Sequence, residues 1–247
     1  MLSCGAFSLV YALTDVTQAF LHADMGEEEI AITLPHEIDG LVIGHKGQTT
    51  TLRAPGLYRL KRALYGYRRA PSLWQQYLTK TFTEKCGLTR SHVDRSVSYT
   101  ADDSICMVVV HVYDVAIIGL RIKVDQIILL LGETVTLKPA EYLAREGDTV
   151  TMLGRTIRRT ATGFRTTSCK KLVANLVEEL DLTTAKPTPT PAVRYGKQQL
   201  RLLDDKLPQR EIRFFRRCVG QIMYISHDRL DIQHAAREVA RAMANQS

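Results

Sequence analysis

The segment Met107 to Gly119, MVVVHVYDVAIIG, places a carboxylate where the pattern asks for a core residue, because an apolar run is broken only at His111, Tyr113 and Asp114. Continuous Val and Ile suit a strand buried on both faces, and an acid buried there is costly unless a metal ion or a partner meets it. The competing reading is an Asp at a hairpin turn. A second group lies upstream, in Tyr58 to Tyr77, YRLKRALYGYRRAPSLWQQY. Lys61, Arg62, Arg68 and Arg69 offer charge that neutralises phosphate, with Tyr65, Tyr67 and Trp74 as surfaces for stacking or packing. A bare cluster of this kind reads equally as a solvated basic face.

These residues need elements to hold them. A strand ending near Asp15 is followed by a change of period, in which Val16, Ala19, Phe20 and Leu21 share a helical face with Thr14 or Asp15 at its cap. Residues 35 to 57 carry Pro35, Gly40, Gly44, Gly47, Pro55 and Gly56 and read as a loop or loose hairpin. From Pro71, a stripe of Trp74, Tyr77, Leu78 and Phe82 ends at Gly87, the start, face and stop of a helix. Ser96 to Tyr99 and Ile105 to Val112 are β-rich runs joined by a turn at Thr100 to Ser104. Ile117 to Leu131 reads as a strand, a turn and a helix, since Arg121, Lys123 and Asp125 interrupt it. Lys171 to Leu182 has a helical apolar stripe, Thr183 to Pro191 breaks the pattern, and the segment from Glu211 is again helical.

With 247 residues and 45% hydrophobic content the chain can build a substantial core. The formal charge of +7 fits a polyanionic partner or simply a basic surface. Cysteines at 4, 86, 106, 169 and 218 form no CxxC and no Cys/His zinc spacing, so an intracellular, reducing setting is expected. No apolar stretch is long enough to span a bilayer, and no targeting signal is visible.

Read in order, LTDVTQAFLHADMGEEEI (Leu13 to Ile30), the Tyr58 to Tyr77 block and HVYD (His111 to Asp114) resemble three blocks of the reverse transcriptase of copia-type retrotransposon polyproteins, approximately DVKTAFLNGDLEEEIY, LKKSLYGLKQAPRQWY and YVDD. MLGRTIR (Met152 to Arg158) is similar to a later FLGIEI-like block. FRRCVGQIMYISHDRLDIQHAA (Phe215 to Ala236) is similar to the family's YRSLVGSLLYLTHTRPDIAYAV, with Leu230 in place of Pro.

The resemblance implies RNA-directed DNA synthesis from deoxynucleotides on a primed RNA or DNA template. Such chemistry uses two Mg2+ or Mn2+ ions about 4 Å apart, held by carboxylates. Mapped residue by residue, Asp15 and Asp114 are metal ligands and catalytic acids, whereas Tyr113 stands where the family has the first acid of YVDD. A phenol is protonated at neutral pH and is a poor ligand for a hard ion. Sliding the register to bring Asp114 into that place would turn its neighbours to the opposite face of the sheet. Phe20 corresponds to the position under the incoming sugar, and otherwise reads as a core aromatic. Gly66 corresponds to the close approach at the templating pair. Lys61, Arg62, Arg68 and Arg69, where Arg69 replaces the usual Gln, correspond to primer–template contacts, as do Leu153 and Gly154. Asp102-Asp103 imitates a polymerase acid pair but has the surroundings of a turn. His227 and His234 imitate a metal pair but fall at ordinary positions of the last block.

The expected architecture is α+β, a palm-like mixed or antiparallel sheet with packed helices and a small thumb-like helical part near 165 to 182. Residues 1–182 are expected to form this domain, 183–200 a Thr/Pro-rich linker, and 201–247 a truncated connection-like segment preceding an absent RNase H, with the fingers largely absent. The expected function is that of a remnant with little or no polymerase activity. The alternative is a noncatalytic nucleic-acid-binding module.

Overall fold

The computed structural model describes residues 9–45, 48–102, 104–188, 190 and 208–245. The chain divides into two compact units, residues 2–148 and 149–247.

The first unit contains β1 (Leu9–Asp15), β2 (Ala31–Thr33), β3 (Val42–His45), β4 (Gln48–Thr51), β5 (Leu57–Arg59), α1 (Ala70–Glu84), β6 (Thr89–Arg90), β7 (Val97–Tyr99), β8 (Cys106–His111), β9 (Asp114–Leu120), α2 (Arg121–Gly132) and β10 (Glu141–Leu143). Its main sheet has the order β10-β1-β9-β8-β7-β6, and each neighbouring pair is antiparallel. Strand alternation sorts the residues by face. Val10, Ala12 and Val16 on β1 or just after it share a face with Val115 and Ile117 on β9 and Cys106 and Val108 on β8. These join Trp74, Leu78 and Phe82 of α1 and Val124, Ile127 and Leu131 of α2 in one apolar core. The opposite parity carries Tyr11, Leu13 and Asp15 beside Ile118, Ala116 and Asp114. The two acids therefore lie on the face that α1 and α2 do not cover. The remaining strands make two hairpin-like pairs, β2 with β5 and β3 with β4.

Two local expectations are corrected. The amphipathic pattern after Asp15 forms only a 3-10 turn, Ala19–His22, preceded by Gln18 in the left-handed region at φ 52°. Thr14 and Asp15 cannot cap it, because both are strand residues paired with Val115 and Asp114. Between Ile117 and Leu131 no turn intervenes: α2 starts at Arg121, directly after the last residue of β9. The helix from Pro71 is as expected, with Pro in its first turn, and so is the hairpin of β7 and β8.

The second unit contains β11 (Thr149–Met152), β12 (Arg155–Thr160) and β13 (Gly163–Thr167) in a three-stranded antiparallel sheet, followed by α3 (Lys170–Glu179), α4 (Gln209–Ser226) and α5 (Gln233–Asn245). Leu176 of α3 packs with Cys218 and Ile225 of α4, supported by Leu172, Val173 and Ile222. The division between units falls at Asp148, ahead of α3. Most of the expected linker, residue 189 and residues 191–200, lies outside the described residues, as do 201–207 of the segment beyond it. Among the described residues no helix is long and apolar enough to cross a membrane.

Candidate active site

Asp15 is the last residue of β1 and Asp114 the first of β9, and the two are direct register partners. Opposed residues in an antiparallel pair hold their Cβ atoms about 4.5–5.5 Å apart, so the carboxylates share one small volume. His111 is the partner of Asp114 on the other side, across the two-residue turn Val112-Tyr113. Of the turn residues only Val112 has a positive φ, 57°, as at the first central position of a type II′ turn. A β-branched residue there is strained by about 1–3 kcal/mol and persists only where its surroundings hold it. They do: the Trp74 indole N–H donates to the Val112 carbonyl, and Val16 N donates to the Tyr113 carbonyl at 2.9 Å. Tyr113 is 44% exposed at the tip of the turn.

A cation meets the pair. Lys138 Nζ lies 3.0 Å from Asp15 Oδ1. The segment bearing it is bonded to the end of β1: Thr17 N donates to Thr136 O at 2.9 Å, Lys138 N to Asp15 O at 2.9 Å, and Thr14 Oγ1 to Lys138 O at 2.8 Å. Burial and then the like charge of Asp15 push the Asp114 carboxyl above its ordinary range, partly offset by His111 and Lys138. Burial, reinforced by Asp114, pushes the Tyr11 phenol up to about 12. Two carboxylates, one already paired with an ammonium, and a neutral phenol do not fit a pair of hard divalent ions. Among the described residues no group of three or more His, Cys, Asp or Glu is placed to hold a metal.

Phe20 is half-buried, with its ring centroid 4.7 Å from that of Tyr65. It borders a cavity of about 200 Å3 with Trp74, Leu78, Phe82, Ser98 and Val112. Gly66 has φ 92° and nothing within 4 Å of where a Cβ would stand; the turn requires glycine there, and the space beside it is open. The four cations of the second block differ in their surroundings. Arg62 is held by Asp24 at 3.0 Å and by the His22 carbonyl at 2.7 Å. Arg69 is ion-paired with Glu28, whose other oxygen accepts from Tyr67. Lys61 and Arg68 are exposed and have no ion pair among the described residues.

In the second unit, Leu153 and Gly154 form the two-residue turn between β11 and β12, both with positive φ, 50° and 74°. That is a type I′ hairpin. The Leu153 carbonyl accepts from Tyr224, and a Cβ on Gly154 would stand 3.1 Å from that hydroxyl. Asp228 binds Arg155 at 2.9 Å and Ser168 at 2.8 Å. Burial opposes its ionisation, but these bonds outweigh it and hold the carboxyl below its ordinary range. His227 spends Nδ1 on the Met223 carbonyl of its own helix. Asp102 accepts from Ser104 within the turn, as its surroundings indicated, while Asp103 lies outside the described residues.

Sequence reasoning did not find Lys138, Glu28 or the bonding role of Trp74. Glu28 belongs to an acidic run, Glu27 to Glu29, visible in the first block. Lys138 and the Trp74 bond depend on backbone groups distant in sequence, for which no local pattern exists.

Residues 6–194 match the family model described as reverse transcriptase (RNA-dependent DNA polymerase). The Retrovirus-related Pol polyprotein from transposon RE2 of Arabidopsis thaliana is 26% identical over 230 residues, which is 93% of this chain and 14% of that protein. The chain therefore spans a small part of that relative's length. Among solved structures, a foamy viral protease-reverse transcriptase in complex with dsDNA is similar over 94% of this chain and 42% of that one, with 14% identity and a TM-score of 0.35. A telomerase from Candida albicans in complex with a fragment of telomeric RNA is similar over 95% and 47%, with 12% identity and a TM-score of 0.36.

Proposed function

Because the chain belongs to the reverse transcriptase (RNA-dependent DNA polymerase) family, we propose that it is the reverse transcriptase domain of a copia-type retrotransposon polyprotein that engages a primed template but carries out little or no nucleotidyl transfer. One observation carries this reading: Asp15 faces Asp114 in register, and the turn between β8 and β9 offers Tyr113 where the family has an acid. Divalent ions in such a site supply charge neutralisation at the attacking and departing oxygens, worth several kcal/mol. The residues of this chain can offer two carboxylates, of which Asp15 already meets Lys138. Removing one ligand and adding a competing ammonium lowers the rate by orders of magnitude. Binding makes smaller demands. Lys61 and Arg68 are free to meet phosphate, and Phe20 and Tyr65 offer ring surface for a deoxynucleotide.

The test is primer extension with Mg2+ and with Mn2+, run beside binding of the same primer–template. Binding that weakens steeply with salt, without incorporation, is the expected result. Incorporation at the rate of an intact polymerase overturns the reading. The exposed Lys61 and Arg68 also favour a second reading, a noncatalytic nucleic-acid-binding module. A degenerate polymerase should prefer a recessed 3′ end over a blunt duplex of equal length, whereas a general binding module should not.

A further inference from the structure

The segment from Thr136 to Lys138 is held at successive residues along the end of β1. Thr136 O accepts from Thr17 N, Leu137 bridges to Val16, and Lys138 uses its N–H, its carbonyl and its ammonium on Asp15 and Thr14. The backbone position of Lys138 is thus set by Asp15 itself. Its side chain is 62% exposed, so the ion pair adds little to stability. Its consequence lies in competition. An ammonium 3.0 Å from Asp15 Oδ1 takes a bonding direction that a divalent ion would need, and it repels that ion. Two acids and one ammonium leave a net charge of −1, whereas three acids alone would carry −3.

We propose that Lys138 is a built-in counter-ion of the Asp15–Asp114 pair, taking the place of a divalent cation at Asp15 and suppressing its binding. The inference rests on reading Asp15 and Asp114 as the surviving acids of the polymerase site. A unit charge about 5 Å from a divalent ion, even at the dielectric constant of water, changes affinity by roughly tenfold.

The experiment is a titration of the full chain with Mn2+, followed by electron paramagnetic resonance of the free ion. Lys138→Gln should bind Mn2+ about tenfold more tightly than the parent. The gain should vanish when Asp15→Asn is added, and Lys138→Arg, which keeps the charge, should bind as the parent does. Lys138→Met serves as the second variant should the glutamine form fail to fold. Unchanged affinity in the folded uncharged variants, or a gain that survives Asp15→Asn, overturns the proposal. Polymerase activity of the parent is judged separately by primer extension, so either inference can fail alone.

Discussion

At the tip of the hairpin Tyr113 precedes Asp114, and on the proposed reading it stands where a further acid would add negative charge to the site. Tyr113→Asp adds a carboxylate beside Asp15 and Asp114, and ligand charge governs the affinity for hard ions. The expected gain in Mn2+ affinity is roughly tenfold by calorimetry, and larger when Lys138→Gln is combined with it, since both act on one ion. A folded Tyr113→Asp protein with no gain would mean that these acids do not converge. Polymerisation need not return with the ion, because positioning accounts for a large share of such catalysis. Asp114 also carries a pH signature. Its carboxyl is held above the ordinary value of 3.8 by burial and by Asp15, so the native state binds the proton more tightly than the unfolded chain. Stability contributed by this group is present below that ordinary value and is lost as pH rises through the native value. Asp114→Asn should therefore melt higher than the parent at neutral pH, and the difference should shrink as the acid is protonated. A parent that equals the variant at pH 7 would contradict this.

At the scale of the element, the turn between β8 and β9 is strained at Val112 and held by α1 through Trp74. Trp74→Phe keeps most of the core volume but leaves the Val112 carbonyl without its donor, and it should cost about 1–3 kcal/mol in a denaturation experiment. Val112→Gly removes the strain at a residue already 42% exposed, and should be neutral or stabilising by up to about 1 kcal/mol. Equal destabilisation by both substitutions would deny that the turn is strained. The boundaries of α1 were legible because proline and glycine act locally, as was the β7–β8 hairpin. The helix expected after Asp15 failed because its apolar residues serve the core from a 3-10 turn, after Gln18 reverses the sign of φ. Lys138 escaped for a different reason: it is positioned by hydrogen bonds to a strand far away in sequence, and a single lysine before a proline carries no signal. The pairing of Asp15 with Asp114 was expected from the resemblance of blocks, since no periodicity relates residues so distant.

Across the whole molecule the net charge of +7 is not evenly available. Arg69 is spent on Glu28 and Arg62 on Asp24, while Arg68 stands exposed beside them. Arg68→Glu should thus weaken binding of primer–template more than Arg69→Glu does. It should also flatten the slope of log affinity against log salt by about 0.9 for each phosphate that is no longer neutralised. Identical slopes for the two variants would place the nucleic acid elsewhere. The order of strands has a further consequence, for the chain as it is being made. β1 lies between β9 and β10, it is buried along nearly its whole length, and both of its neighbours are synthesised roughly a hundred residues later, about 5–20 s at common rates of translation. Throughout that interval neither edge of LVYALTD is paired with its native neighbour. Such a segment is a ready template for association with other nascent chains, so the strand that carries Asp15 is also the one most in need of a chaperone's shelter before the sheet can close around it.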